Sequence, residues 1–67
     1  MREGDVVRLT DDTPVDFGVN GIGFVITKPY AYVVKQDEVI TETKVADVLF
    51  GVKIVEKIPL NCLEIIF

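Results

Sequence analysis

Apolar residues along the 67-residue chain come in short runs, and within most runs they alternate with polar positions. In GDVVRLT (Gly4–Thr10), Val7 and Leu9 fall on one face of an extended chain and Val6 and Arg8 on the other, the two-residue period of a strand. IGFVITK (Ile22–Lys28) predicts a second strand that closes at Lys28-Pro29, where the residue before proline is held extended. YAYVVK (Tyr30–Lys35) continues extended after Pro29 as a separate strand. VADVLFGVKIVEK (Val45–Lys57) reads as a long strand or a bent pair, with Val48, Phe50, Val52 and Ile54 on one face and Asp47, Gly51, Lys53 and Val55 on the other. Gly51 inside that run marks a bulge or a sharp barrel corner. LEIIF (Leu63–Phe67) is the last strand, with Leu63, Ile65 and Phe67 facing one way.

Between these runs lies turn chemistry. DDTPVDFG (Asp11–Gly18) is a loop, its Asp residues and Pro14 suited to turns and Pro14 unable to donate to a ladder. QDEVITETK (Gln36–Lys44) suits a hairpin tip or loop, with a one-turn helix from Thr41 as the alternative. PLNC (Pro59–Cys62) is a compact turn with room for one 3-10 turn. No long stretch repeats apolar residues at helical spacing, and the apolar content is dominated by 12 Val and 7 Ile, which stiffen χ1 and favour extended backbone. The expectation is all-β: residues 1–67 as a single small barrel of about five short, strongly bent antiparallel strands, since closure removes exposed edges.

Composition narrows the chemistry. The single cysteine, Cys62, excludes an internal disulfide and a cysteine metal cage. The chain has no histidine, hence neither the commonest general base nor the commonest transition-metal ligand. With apolar neighbours and no His partner, Cys62 reads as a small core residue. Eleven carboxylates against seven Lys and Arg give a formal charge of −4, opposed to the basic stripe that nucleic-acid modules use on phosphates. The start MREGD lacks a signal-peptide h-region and no apolar run reaches the length of a membrane span, so a cytoplasmic protein is expected.

The glycines of DFGVNGIGFVI (Asp16–Ile26) invite comparison with a phosphate loop. Such a loop needs a helix behind its glycines, so that the phosphates meet a helix N-terminus. Here Gly18, Gly21 and Gly23 precede FVIT, a strand former. The segment reads as the corner of a barrel.

The order REGDVVRL, NGIGFVI, VLFGVKI, IPLNCLEII resembles small SH3-like barrels, in which G-D-x-V-x-L leads through a loop to G-x-G-x-V, a V-x-F strand follows and a short turn delivers L-E-I. Gly4, Asp5, Val7, Leu9, Gly21, Gly23, Val25, Val48, Phe50, Leu60, Leu63, Glu64 and Ile65 stand at matching places. The pattern is similar to KOW-type domains and to the small barrels of photosynthetic electron-transfer complexes, namely the small stromal barrel protein of photosystem I and the ferredoxin–thioredoxin reductase variable chain. Residues 29–45 have no counterpart in the shorter members. The ALYDY motif and paired tryptophans of signalling SH3 domains are absent, so their polyproline groove is not implied.

These readings lead to a non-catalytic protein-binding module. The resemblance implies an accessory or regulatory subunit docking on a larger protein assembly, and the residues lead to the expectation of neither cofactor nor metal. Its docking face is expected from the acidic loop residues Asp11, Asp12 and Asp16 with the aromatic rim Phe17, Tyr30 and Tyr32, favouring a partner with a basic patch. Asp11, Asp12 and Asp16 are too few oxygens for a calcium site, and nothing marks Glu38 with Glu42 as an acid–base pair. Phe24, Phe50 and Phe67 are expected in the core, and Val55, Ile58 and Ile66 on the outer face, where they would serve a partner or self-association. The alternatives are a KOW-like nucleic-acid or ribosome-associated module, which a basic face of Arg2, Arg8, Lys28 and Lys35 would favour, and a small acidic inhibitor of a host protein, of the kind a phage encodes.

Overall fold

A computed structural model describes residues 1–11 and 16–66. They form one curled antiparallel sheet, a half-barrel: β1 (Val6–Leu9), β2 (Ile22–Val25), β3 (Tyr30–Gln36), β4 (Val39–Phe50), β5 (Lys53–Pro59), a 3-10 turn (Leu60–Cys62) and β6 (Leu63–Ile65). The all-β class, the separate strand after Pro29 and the 3-10 turn are as the sequence predicts. No helix among the described residues is long and apolar enough to cross a membrane.

β4 is the spine of the sheet. Val48 and Leu49 pair with Val25 and Phe24 of β2 and also with Val55 and Ile54 of β5, so β2 and β5 lie on opposite edges of β4. Val45 pairs with Tyr30 of β3 and with Pro59 of β5, which places β3 on the same edge as β2, farther along. β1 then joins β2 to β6, closing the first strand against the last.

Two tight turns set the register. Gly51 and Val52 connect Phe50 to Lys53, and Gly51 takes φ +63° at the first central position, as a two-residue type II′ turn requires. This corrects the single face expected for Val48, Phe50, Val52 and Ile54: the chain reverses after Phe50, Val52 is fully exposed at the turn and Ile54 points outward. Asp37 and Glu38 connect β3 to β4, both at positive φ, the backbone of a type I′ turn built without glycine. The region from Thr41 is therefore strand rather than helix, because β3 supplies a partner at every position from Tyr30 to Gln36.

The sheet bends at Asp47, not at Gly51. On one edge the four residues Ile26 to Pro29 face only Ala46 and Asp47; on the other, Glu56 and Lys57 together face Asp47. Extra residues opposite one position increase local twist and coil the sheet, and Lys57 accommodates them at φ +60°. The bulge also resets the alternation of β5. Val55 and Ile58 both turn inward, which corrects the outer-face assignment of both: Ile58 is fully buried (0 % exposed), and Val55, opposite buried Val48, packs against the core. Ile66 is half-buried.

The core comprises Val7, Val25, Ala46, Val48, Phe50, Ile58, Cys62 and Leu63. Phe50 and Cys62 are buried as expected, whereas Phe24 is 50 % exposed and Phe67 lies outside the described residues. β2 turns its small residues in and its large ones out, and the reason is Gly23. A Cβ there would stand 2.5 Å from Val48 Cγ1 and 2.8 Å from Phe50 Cε1, so the space a side chain would need already holds those two. Gly23→Ala is expected to cost about 1–3 kcal/mol through overpacking, read as a lower urea midpoint at unchanged slope. A midpoint equal to wild type would show that Val48 and Phe50 yield without penalty.

Candidate functional site

Away from the core, the sheet presents a second face whose members follow from the ladder. Opposed residues in an antiparallel pair share a face. Across four strands Val6, Phe24, Leu49 and Ile54 form one row, in which Phe24 and Ile54 (57 % exposed) are open to solvent. Along β4 the same face continues through Asp47 and Val45 to Thr43, Thr41 and Val39, opposite Tyr30, Tyr32, Val34 and Gln36. The far part is a two-stranded ribbon beyond the half-barrel, which gives the molecule its 38 × 22 × 19 Å outline. On this outer face the ribbon from Tyr32 to Thr43 carries no charged side chain within its strands; on the inner face it carries Lys35 and Glu42.

Asp47 is the polar centre of the outer face. Its Oδ1 accepts the Tyr30 hydroxyl at 2.7 Å and the Lys57 backbone N–H at 3.0 Å, while its own N–H donates to Thr27 Oγ1 at 3.1 Å. Its carbonyl accepts the Ile26 N–H at 3.0 Å. One residue thus ties the β2–β3 junction, β4 and the β5 bulge together. Beside it Lys57 Nζ sits 5.1 Å from the centre of the Tyr32 ring, within cation–π range. Val45, between Tyr30 and Pro59 in the ladder, is 1 % exposed although it is no part of the main core.

The hydrogen bond to Asp47, helped by desolvation and by the charges of Asp47 and Glu56, pushes the Tyr30 phenol up to about 12. The folded protein holds that proton more tightly than the unfolded chain, so the contribution to stability is complete below pH 10 and is lost between about 10 and about 12. In Tyr32→Phe, Tyr30 is the one remaining phenol, the chain having two tyrosines. Its phenolate absorbance is expected to rise with a midpoint up to about 12. A midpoint at the ordinary value would show that the bond to Asp47 does not persist in solution.

The expected site residues are divided by the structure. Tyr30 and Tyr32 share the outer face. Phe17 is half-buried and packs against the core cluster. Asp11 is exposed where the loop begins, Asp16 accepts the Gly18 N–H at 2.8 Å within its own turn, and Asp12 lies outside the described residues. The acidic partner of Tyr30 is Asp47, which sequence reasoning did not single out; its signal was a lone carboxylate in the apolar run VADVLF. Phe24 and Ile54 were missed because alternation assigned them inward.

Elsewhere an open cleft of ≈ 470 Å³ is lined by Arg8, Leu9, Asp11, Val19, Asn20, Gly21, Ile22 and Ile66. Arg8 is committed to Glu64, its cross-strand neighbour, at 3.0 Å, and that hydrogen bond raises it above its ordinary value. Lys28 lies before β3, in the segment that faces Asp47, whereas Lys35 stands near the far end of β3, so the two are not brought together. No group of three or more His, Cys, Asp or Glu side chains able to hold a metal occurs among the described residues. Comparison of the chain with protein-family models, curated proteins and solved structures found no match.

Proposed function

We propose that the chain is a non-catalytic protein-binding module of SH3-like type, an accessory or regulatory subunit that docks on a larger protein assembly through its outer sheet face. The strand order supports the SH3-like part of the reading: the first strand pairs with the second and the last, and a 3-10 turn precedes the last. The observation that carries the docking part is the row Val6, Phe24, Leu49 and Ile54, continued by Tyr30 and Tyr32. Large apolar and aromatic side chains stand on one surface, with Asp47 and Lys57 between the row and the tyrosines, each engaged with a tyrosine ring or hydroxyl. Interfaces concentrate aromatic anchors in a charge-depleted centre with a polar rim. The partner would offer an apolar patch flanked by basic residues, matching the formal charge of −4.

Phe24→Ser and Ile54→Ser test this directly, because both side chains are half or more exposed and their loss leaves the core intact. A stoichiometric protein captured by wild type from nuclease-treated lysate should be lost with either variant while thermal stability is kept. Equal capture by both variants rejects this face. Capture only when nuclease is omitted replaces the reading with the nucleic-acid one.

A further inference from the structure

The ribbon beyond the half-barrel has a free edge. Among the described residues β3 pairs with β4 alone. Its two-residue turn makes Gln36 and Val39 a hydrogen-bonded pair, and pairing alternates along the ladder. Tyr30, Tyr32, Val34 and Gln36 therefore bond to β4, while Ala31, Val33 and Lys35 turn their N–H and C=O groups to the open side. β3 is seven residues long, contains no proline and bears one charge, so it lacks the devices that protect edges, apart from Lys35. A two-stranded ribbon is also marginal by itself and gains from a third strand.

We propose that this edge takes a second copy of the chain, β3 against β3 in antiparallel register about a two-fold axis at Val33. The register follows from the outward groups. It sets Val33 against Val33 and Ala31 against Lys35, so all three outward residues of each copy exchange backbone hydrogen bonds. On the outer face Tyr32 then opposes Val34, an aromatic–β-branched pair. The same register brings Glu38, in the acidic turn of one copy, level with Lys28 of the other, because these residues lie equally far from Val33 on either side.

The other free stretch of the ribbon, on β4, fails this test. Its outward residues are Ile40, Glu42 and Lys44, and the register that overlaps them sets Glu42 against Glu42, like charges directly opposed. The self-complementarity of β3, in both shape and charge, is what selects a second copy over an unrelated strand. The resulting dimer carries one continuous sheet across two ribbons, with both outer faces on one side. The edge is backbone and the proposed docking face is side chain, so either assignment stands if the other fails.

Sedimentation equilibrium between about 10 μM and about 1 mM, the range for a small interface, is expected to show a concentration-dependent dimer. Val33→Pro removes only an outward N–H, which an edge strand tolerates, and is expected to be monomeric with unchanged far-ultraviolet circular dichroism. Lys28→Glu is expected to weaken the dimer by roughly tenfold through opposed like charges, and Lys28→Glu combined with Glu38→Lys to restore it. The charge swap keeps the proposal testable should Val33→Pro fail to fold. A chain monomeric throughout the range overturns the proposal, and so does a dimer indifferent to Val33→Pro or a charge swap that restores nothing.

Discussion

Ile58→Ala is expected to leave most of the chain unfolded under conditions in which the wild type is folded. Ile58 is the largest of the fully buried side chains and lies opposite Ala46, next to the bend at Asp47. Truncating a buried Ile costs about 2–5 kcal/mol, the transfer term plus the cavity left behind. Ala46 is too small to move into the gap. A single core in a chain of this size rarely supplies more than about 3–5 kcal/mol, so one such loss removes most of what holds the fold. Ile58→Val, which deletes one methyl, should cost about 1 kcal/mol and keep the protein folded. Ile54→Ala, four residues earlier on the outer face, should change stability by no more than about 0.5 kcal/mol. Urea unfolding of the three variants checks the ordering. Equal midpoints for Ile58→Ala and Ile54→Ala would mean that the inward turn of Ile58 is wrong.

The contrast between Ile58 and Ile54 also marks where the sequence stops being legible. Period-two alternation groups Val48 with Phe50 on the inner face, and both are inside; in β2 it chooses Phe24, and the structure buries its neighbour Val25 instead. Alternation puts Ile54 inside and Val55 outside because the count runs straight through Gly51, whereas the chain reverses there and sets Ile54 opposite outward Leu49 and Val55 opposite inward Val48. The extra residue at Glu56–Lys57 then shifts the count again and brings Ile58 inward. A bulge has no composition signal when Lys57, rather than glycine, takes the positive φ. Phe24 fails for a different reason. Hydrophobicity ranks it far above Gly23 for burial, but Val48 and Phe50 already fill the inner side of β2, and that competition across strands is invisible along one. Of the outer face, the sequence shows the two tyrosines as aromatics beside Pro29 and conceals what they touch. Tyr30 and Asp47 are seventeen residues apart and meet only because β3 folds back on β4.

Asp47→Ala carries the second large effect. The substitution removes the acceptor of two hydrogen bonds, leaving the half-buried Tyr30 hydroxyl and the Lys57 N–H without it. Lys57 is held at φ +60°, a conformation that non-glycine residues keep only where the surroundings impose it. The expected loss is about 2–3 kcal/mol, from charge-assisted bonds and orphaned donors, or a fall in Tm of roughly 10 °C or more for a domain of this size. Asp47→Asn keeps an acceptor oxygen and should lose less. A tyrosine hydroxyl with no carboxylate to bond has no reason to titrate high, so the Tyr30 phenolate midpoint should fall from about 12 toward 10 in Asp47→Ala. In the double-mutant cycle, Tyr30→Phe should destabilise wild type more than it destabilises Asp47→Ala, since the two side chains share one bond. Strict additivity would show that they act independently, and the bend would then rest on the backbone bond from Ile26 N–H to the Asp47 carbonyl and on the bulge alone. Because β3 leaves the half-barrel at this junction, a protein that tolerates Asp47→Ala in stability should still show the ribbon loosened. Amide exchange at Tyr32, Val34, Thr41 and Thr43, whose N–H groups bond across the ribbon, is expected to quicken relative to that of Val7 and Val25, since local opening of the ribbon no longer has to break the Tyr30–Asp47 bond.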